Sequence, residues 1–337
     1  MQKVMAWCSC PEYTTSHTPA HVPHAIGPGV IMNPVSRILV ATDLSENAVA
    51  ALHAAVELAE LSEAELWIVH VVPGADPGQA KALGELQKKI EARAQDELRK
   101  AASKFKKSPV KCQTLVESGD VVARIQELAA SLKIDVVVAG TRGHGSDDLR
   151  SIGGVAERLA QSASTDVLLV RPDHSEFARI CVAVDFSELS VMAMERAGAL
   201  ARLFGAKKLG LLHVLHLPDE YWLTGLSEKD SLRKLREFAH EHMGECKGKA
   251  KLGDLKLEEV YEEGSPGAAL AKMVKARKAD LLVMGSHGRT TVSSAVVGSV
   301  AAKTIRSVPA SLWIETDPKF KLSFLRALGK IMGLVTD

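Results

Sequence analysis

The stretch RILVATDLSENAVAALHAAVELAE, residues 37–60, is followed 142 residues later by RICVAVDFSELSVMAMERAGALAR, residues 179–202. Each opens on a short β-branched run, closes that run with Asp-x-Ser-Glu, and continues at helical period. The correspondence extends outward. ELWIVHVV from Glu65 matches KLGLLHVL from Lys208, and VESGDVVARIQELA from Val116 matches YEEGSPGAALAKMV from Tyr261. IDVVVAGTRG from Ile134 matches ADLLVMGSHG from Ala279, and the closing strands are DVLLV from Asp166 and SLWIE from Ser311. The offset is 142 at the aspartates and 145 at the glycines ending the fourth strand, so one domain is written twice in tandem.

Within each copy, continuous apolar runs of strand length alternate with helical segments. That order builds a parallel sheet covered by helices on both faces, a doubly wound α/β domain. Such sheets take ligands beyond the carboxyl ends of their strands, where the strand order reverses. Asp43 and Asp185 close the first strand of each copy, while Gly140 and Gly285 follow the fourth. Both pairs are expected at that edge.

Composition narrows the classes of function. The chain has 337 residues, 46% hydrophobic and 25% charged, enough for two domains with real cores. A net charge of +1 and 4% aromatic content give no attraction to nucleic acid and little for stacking bases. Five scattered cysteines fit a reducing cytosol, and no apolar run is long enough to span a bilayer. A cytoplasmic protein is expected.

The flanks are different in kind. Residues 1–35 are rich in Pro, His and Thr without a period and read as a disordered head. Cys8, Cys10, His17, His21 and His24 could bind zinc there, although the cysteine spacing is too short for a structural site. Translation beginning at Met32 is the plainer reading of the head. Residues 317–337 contain FKLSFLRALGKIMGLV, an amphipathic helix with Phe320, Phe324, Leu328, Ile331 and Val335 on one face. It is expected to dock on its own domain or on a partner, a second copy included, rather than lie on a membrane surface.

The chemistry is carried by a glycine loop. GSHGRTTVSSAVVGS, residues 285–299, and GTRGHGSDDLRSIGG, residues 140–154, share Gly-x2-Gly-x9-Gly. A strand running through such a loop into a helix converges backbone N–H groups and a partial positive charge on one spot, which suits phosphate. Ser299 is expected either to cap the following helix or to give its hydroxyl to a phosphate oxygen. The first copy has Gly154 at that place, and its loop carries Asp147 and Asp148, partly offset by Arg142 and Arg150; the second has Arg289 and no acid. The alternative is a loop that serves only close helix–strand packing.

No catalytic constellation emerges. There is no Walker loop. His70 and His213 read as buried, hydrogen-bonded histidines in apolar strands, and Ser45 and Ser187 as helix caps. Asp185 is expected to fix the loop or recognise a base rather than move a proton.

With VATDLSE and VAVDFSE, the VHV and LHV strand ends and Gly-x2-Gly-x9-Gly-Ser, the chain resembles the universal stress proteins in their tandem form, over about 280 residues. The resemblance implies two Rossmann-like domains, residues 36–173 and 178–316, joined as an intramolecular pseudo-dimer through their last strands. It also implies an ATP site, with or without magnesium. Carried over by position, Asp185 and Val214 would meet adenine, Gly285 the ribose, and Gly288, Gly298, Ser299 and Val300 the phosphates. In the first copy Asp43, Val71, Gly140, Gly143 and Gly153 match and Gly154 departs, so that site is expected to be weak or lost. The expected function is regulation of a stress response through ATP occupancy. A scaffold without nucleotide and a slow ATPase are the alternatives.

Overall fold

The computed structural model describes residues 35–74, 80–143, 152–162, 164–172, 176–288 and 298–316. The candidate zinc ligands of the head, the tail helix, and Asp147, Asp148, Arg150 and Arg289 lie outside the described residues.

The first copy forms β1 (Arg37–Ala41), α1 (Val49–Ser62), β2 (Glu65–Pro73), α2 (Ala80–Ser103), β3 (Cys112–Gly119), α3 (Val121–Ser131), β4 (Val136–Gly140), α4 (Gly154–Ser162) and β5 (Asp166–Val170). The second repeats the order as β6 (Ile180–Ala183), α5 (Glu188–Leu203), β7 (Lys208–Leu215), α6 (Glu228–Lys249), β8 (Lys256–Glu263), α7 (Pro266–Arg277), β9 (Leu281–Gly285), α8 (Ser299–Ser307) and β10 (Ser311–Glu315). All ten strands belong to one sheet in the order β3-β2-β1-β4-β5-β10-β9-β6-β7-β8. Pairing is parallel within each copy. Where the copies meet it is antiparallel, with Leu169 opposite Leu312, Leu168 opposite Trp313 and Val167 opposite Ile314. The strand order reverses between β1 and β4, and again between β6 and β9, so each copy has one switch point in its sheet.

Alternation along the strands divides the core between the two faces of the sheet. Ile38, Val40, Ile68 and Val138 pack on one face with α1 and α5, while Leu39, Val69 and Val137 pack on the other with α3, α4, α7 and α8. Both layers run through both copies. Leu168 and Trp313 belong to the first layer, and Val167, Leu169, Leu312 and Ile314 to the second.

A buried ionic cluster crosses the seam. Arg196 on α5 donates from Nε to Glu315 Oε2 at 3.0 Å and from Nη2 to Asp166 Oδ2 at 3.2 Å. Trp313 Nε1 donates to the same Glu315 oxygen at 3.0 Å, and Thr316 N to Asp166 Oδ1 at 3.0 Å. Beside it, Arg171 Nε and Nη2 donate to the carbonyls of Ala310 and Val308, so the end of β5 is anchored in the second copy. Neither device has a symmetric counterpart, because Ala54 stands where Arg196 would be repeated and Thr316 where Arg171 would be. The seam is pseudo-symmetric in backbone and specific in side chains.

Candidate functional site

Asp185 lies two residues beyond the end of β6, and not on the strand itself. Its Oδ1 accepts from Ser187 N at 3.0 Å and Ser187 Oγ at 2.6 Å. Ser187 also caps α5, accepting from Ser190 N at 3.1 Å, so one serine fixes both the helix start and the carboxylate. The other oxygen, Oδ2, faces Gly288 so closely that a Cβ there would overlap it. The first copy repeats the arrangement with Asp43, Ser45 and Gly143. Ser45, expected as a helix cap, makes no such bond. It precedes a short 3-10 turn, Glu46–Ala48, and spends its hydroxyl on Asp43.

The residue after each aspartate adopts positive φ, 65° at Leu44 and 66° at Phe186. The carbonyl two residues earlier meets a histidine of the neighbouring strand. His70 Nδ1 lies 2.8 Å from Thr42 O, and His213 Nδ1 lies 2.7 Å from Val184 O. A carbonyl can only accept, so Nδ1 carries a proton in both histidines. Both histidines are half-buried rather than buried, because they lie near the open end of the sheet. In the second copy Phe186 stacks on His213, with centroids 4.2 Å apart.

The glycine loop of the second copy closes on itself through Gly298 N donating to Ser286 O at 3.0 Å. Gly298, with φ −61° and ψ 151°, is the N-cap of α8, and Ser299 is the first helical residue. Ser299 therefore does not cap the helix. Its hydroxyl and the first N–H groups of α8 stand at the amino end, where a helix has no internal acceptor for them.

These elements enclose a cleft of about 270 Å³. The seven residues assigned to the second-copy site by position all line it: Asp185, Val214, Gly285, Gly288, Gly298, Ser299 and Val300. Leu212, Leu270 and Met284 supply apolar wall, His213 and His287 supply imidazoles, and Pro266 closes the side formed by α7. At Gly285 a Cβ would fall 2.9 Å from Leu189 Cγ, so a larger residue requires Leu189 to move. The sequence reading missed His287, although it stands between two glycines of the motif. It also missed Pro266 and Leu270, whose helix carries no motif at all.

In the first copy the structure brings Asp43 against Gly143 and closes the loop through Gly153 N donating to Thr141 O at 2.8 Å. Gly140 ends β4, Val71 is buried on β2, and Gly154 begins α4. The residue matching His287 is Arg142, and it is buried. Among the described residues, no helix is long and apolar enough to cross a membrane, and no group of three or more His, Cys, Asp or Glu side chains could hold a metal ion.

Comparison with known proteins agrees with the duplication. The model of the universal stress protein family matches twice, over residues 34–171 and 176–314. A universal stress protein of Mycolicibacterium smegmatis is 25% identical over 289 residues, covering 82% of this chain and 96% of that protein. A functionally unknown protein from Pseudomonas aeruginosa superposes with a TM-score of 0.64 at 16% identity, covering 88% of this chain and 98% of that one. A solved universal stress protein in complex with cAMP is 28% identical, covering 40% of this chain and 94% of its own, at a TM-score of 0.32. With two matches that together span most of its length, the chain belongs to the universal stress protein family.

Proposed function

We propose that this chain is a stress-response regulatory protein that binds ATP in the second copy, with the first copy's equivalent site weakened. Family membership supports the stress-response role. The observation that carries the nucleotide reading is the convergence of all seven second-copy residues on one cleft at a sheet switch point.

The residues fit an adenine nucleotide. Glycine at 285 and 288 lets the cleft wall lie against Leu189 and Asp185, where a Cβ would overlap them. Leu212, Val214 and Met284 offer an apolar surface to a base, and Asp185, held by Ser187, offers a fixed acceptor for its amino group. Ser299 Oγ and the amino end of α8 offer donors and positive potential to phosphates, with or without a magnesium ion. The same restraint argues against Asp185 as a base in hydrolysis, since its Oδ1 already accepts two hydrogen bonds. ATP occupancy would then act by changing how this edge of the molecule meets a partner.

The test is to purify the chain without added nucleotide, denature it, and identify what is released by mass spectrometry. Gly298→Asp is the control. At the N-cap an aspartate suits the helix and so preserves folding, while its carboxylate opposes phosphate. About one ATP per chain, absent from Gly298→Asp, is the expected result. Two per chain would refute the weakening of the first site. None, followed by no binding in a titration with ATP and magnesium, would favour a scaffold.

A further inference from the structure

The second copy presents an exposed apolar surface at the carboxyl edge of its sheet. β7 is followed by a 3-10 turn, Tyr221–Thr224, which packs against α6. Leu223 N donates to Glu220 O and Gly225 N to Trp222 O, and Gly225 closes the turn at φ 72°. The turn holds Trp222 and Leu223 outward, 65% and 68% exposed. Leu226, whose N–H donates to Thr224 Oγ1, is exposed after them, and so is Phe238 on α6. Single exposed apolar residues are ordinary, but a tryptophan and two leucines on one fixed turn form a patch of the kind that marks an interface. Its rim is acidic: Asp219, Glu220 and Glu228 are exposed, and no lysine or arginine stands between His216 and Glu228.

The chain itself supplies a complement. Phe320, Phe324, Leu328, Ile331 and Val335 share one face at helical period, and residues 319–336 carry Lys319, Lys321, Arg326 and Lys330 without an acid. Reach favours this copy. β10, β9, β6 and β7 are parallel neighbours in turn, so the chain leaves β10 at the same sheet edge at which β7 gives way to the turn. Three strand spacings separate the two points, about 14 Å. Residues 317–319 extended span about 10 Å and a helix over 320–335 about 24 Å, so the segment is long enough to cross and lie on the turn. The exposed Leu86 and Ile90 of the first copy lie on α2, behind strands that run the opposite way, since β5 and β10 are antiparallel. We propose that residues 320–335 dock as a helix, within their own chain, on the surface of Trp222, Leu223, Leu226 and Phe238, their positive charge matched by Asp219, Glu220 and Glu228. The path crosses the ends of β9 and β6, so the docked tail lies along the edge that carries the cleft. The inference is independent of which ligand the cleft holds.

Hydrogen-exchange mass spectrometry on the full chain tests it. A helix of this length is marginal alone in water, so slow exchange of its amides requires docking. In the parent, amides of residues 320–335 should exchange at least about tenfold more slowly than in Trp222→Ser/Leu223→Ser. Reciprocally, residues 221–226 should lose protection in Phe324→Ser/Leu328→Ser. Trp222 and Leu223 are exposed, so exchange in β9 and β10 should stay unchanged, which checks folding in the same run. Asp219→Lys/Glu220→Lys leaves the apolar surface in place and should still accelerate exchange of the tail, so the test does not rest on one variant. No protection of 320–335 in the parent, or protection unchanged by both sets of substitutions on the surface, overturns the inference. Protection that rises with protein concentration alongside a dimeric mass assigns the surface to a second copy's tail. Protection seen only with anionic vesicles assigns the tail to a membrane surface. Either result overturns docking within the chain.

Discussion

Gly288 and Asp185 are in such close contact that the glycine is defined by the carboxylate opposite it: a Cβ at 288 would overlap Asp185 Oδ2. Asp185 has little room to retreat, because Oδ1 is held by both the N–H and the hydroxyl of Ser187. Gly143 and Asp43 repeat the relationship, so it is a property of the domain and not of one copy. Gly288→Ala should therefore destabilise the ligand-free protein by about 1–3 kcal/mol, the usual range for an overpacked site. Asp185→Ala in the same chain removes the overlapping oxygen, and the pair should be strongly non-additive. Urea denaturation of the four chains of this cycle reads the coupling. Additive effects would show that the contact does not constrain the loop.

The Arg196 cluster should govern stability at the seam. Its partners Asp166 and Glu315 have side chains only 1% and 3% exposed. Arg196→Ala leaves both carboxylates without their buried cation, which should cost about 3–5 kcal/mol. Both core layers run through both copies, so the loss should appear as a lower midpoint of one shared unfolding transition. Tryptophan fluorescence, to which buried Trp67 of the first copy and buried Trp313 of the second both contribute, alongside far-ultraviolet circular dichroism checks this. Two separated transitions in the parent chain would mean that the seam does not couple the copies.

Cys181 sets a pH dependence on the alkaline side. Burial pushes its thiol from 9.0 up to about 11. The unfolded chain thus releases this proton first as pH rises, and between those values the native state binds more protons. The stabilisation is fully present below pH 9 and is lost as pH rises through about 11, in total about 2–3 kcal/mol. Cys181→Ala should flatten that part of the stability curve, whatever its constant effect on packing against Gly210. Denaturant midpoints for both chains from pH 8 to 11 give the difference. Parallel curves would show that the thiol ionises as easily in the folded protein as in the unfolded one.

Much of this was legible before the structure, for physical reasons that can be named. Strand–helix alternation and the repeat follow from local periodicity, Asp185 and Gly285 from where a parallel sheet presents its strand ends, and Gly288 and Gly298 from the Gly-x2-Gly-x9-Gly loop. The Arg196–Asp166–Glu315 cluster was not legible. Its members are far apart in sequence, they sit among apolar residues, and their repeat partners are not charged. Phe186 against His213 was equally hidden, since the stack joins a residue beyond one strand to a residue on another, which no local pattern links. Capping was one of the two roles expected of Ser299, since serine favours that position, yet the loop closes one residue earlier through Gly298 N and makes the glycine the cap.

That shift of one residue makes Ser299 and Gly154 a reciprocal test. Because Gly298 caps α8, Ser299→Ala removes no capping bond, and stability should stay within about 0.5 kcal/mol of the parent. If the hydroxyl meets a phosphate oxygen, the same change should weaken ATP binding about 10- to 150-fold. Conversely, Gly154 begins α4, and a Cβ there meets nothing within 4 Å. Gly154→Ser should fold normally and gain up to about 0.5 kcal/mol from helix propensity. In a chain whose second loop carries Gly298→Asp, it should also raise ATP affinity at the first loop roughly tenfold, the reverse of losing one charge-assisted bond. The acidic pair Asp147 and Asp148 should still hold that affinity below the second copy's. ATP titrations of the parent, Ser299→Ala, Gly298→Asp and Gly298→Asp/Gly154→Ser chains give the comparison. If Gly154→Ser leaves ATP affinity unchanged while Ser299→Ala abolishes binding, the hydroxyl does not distinguish the two copies, and the acidic loop and Arg142 must account for the difference.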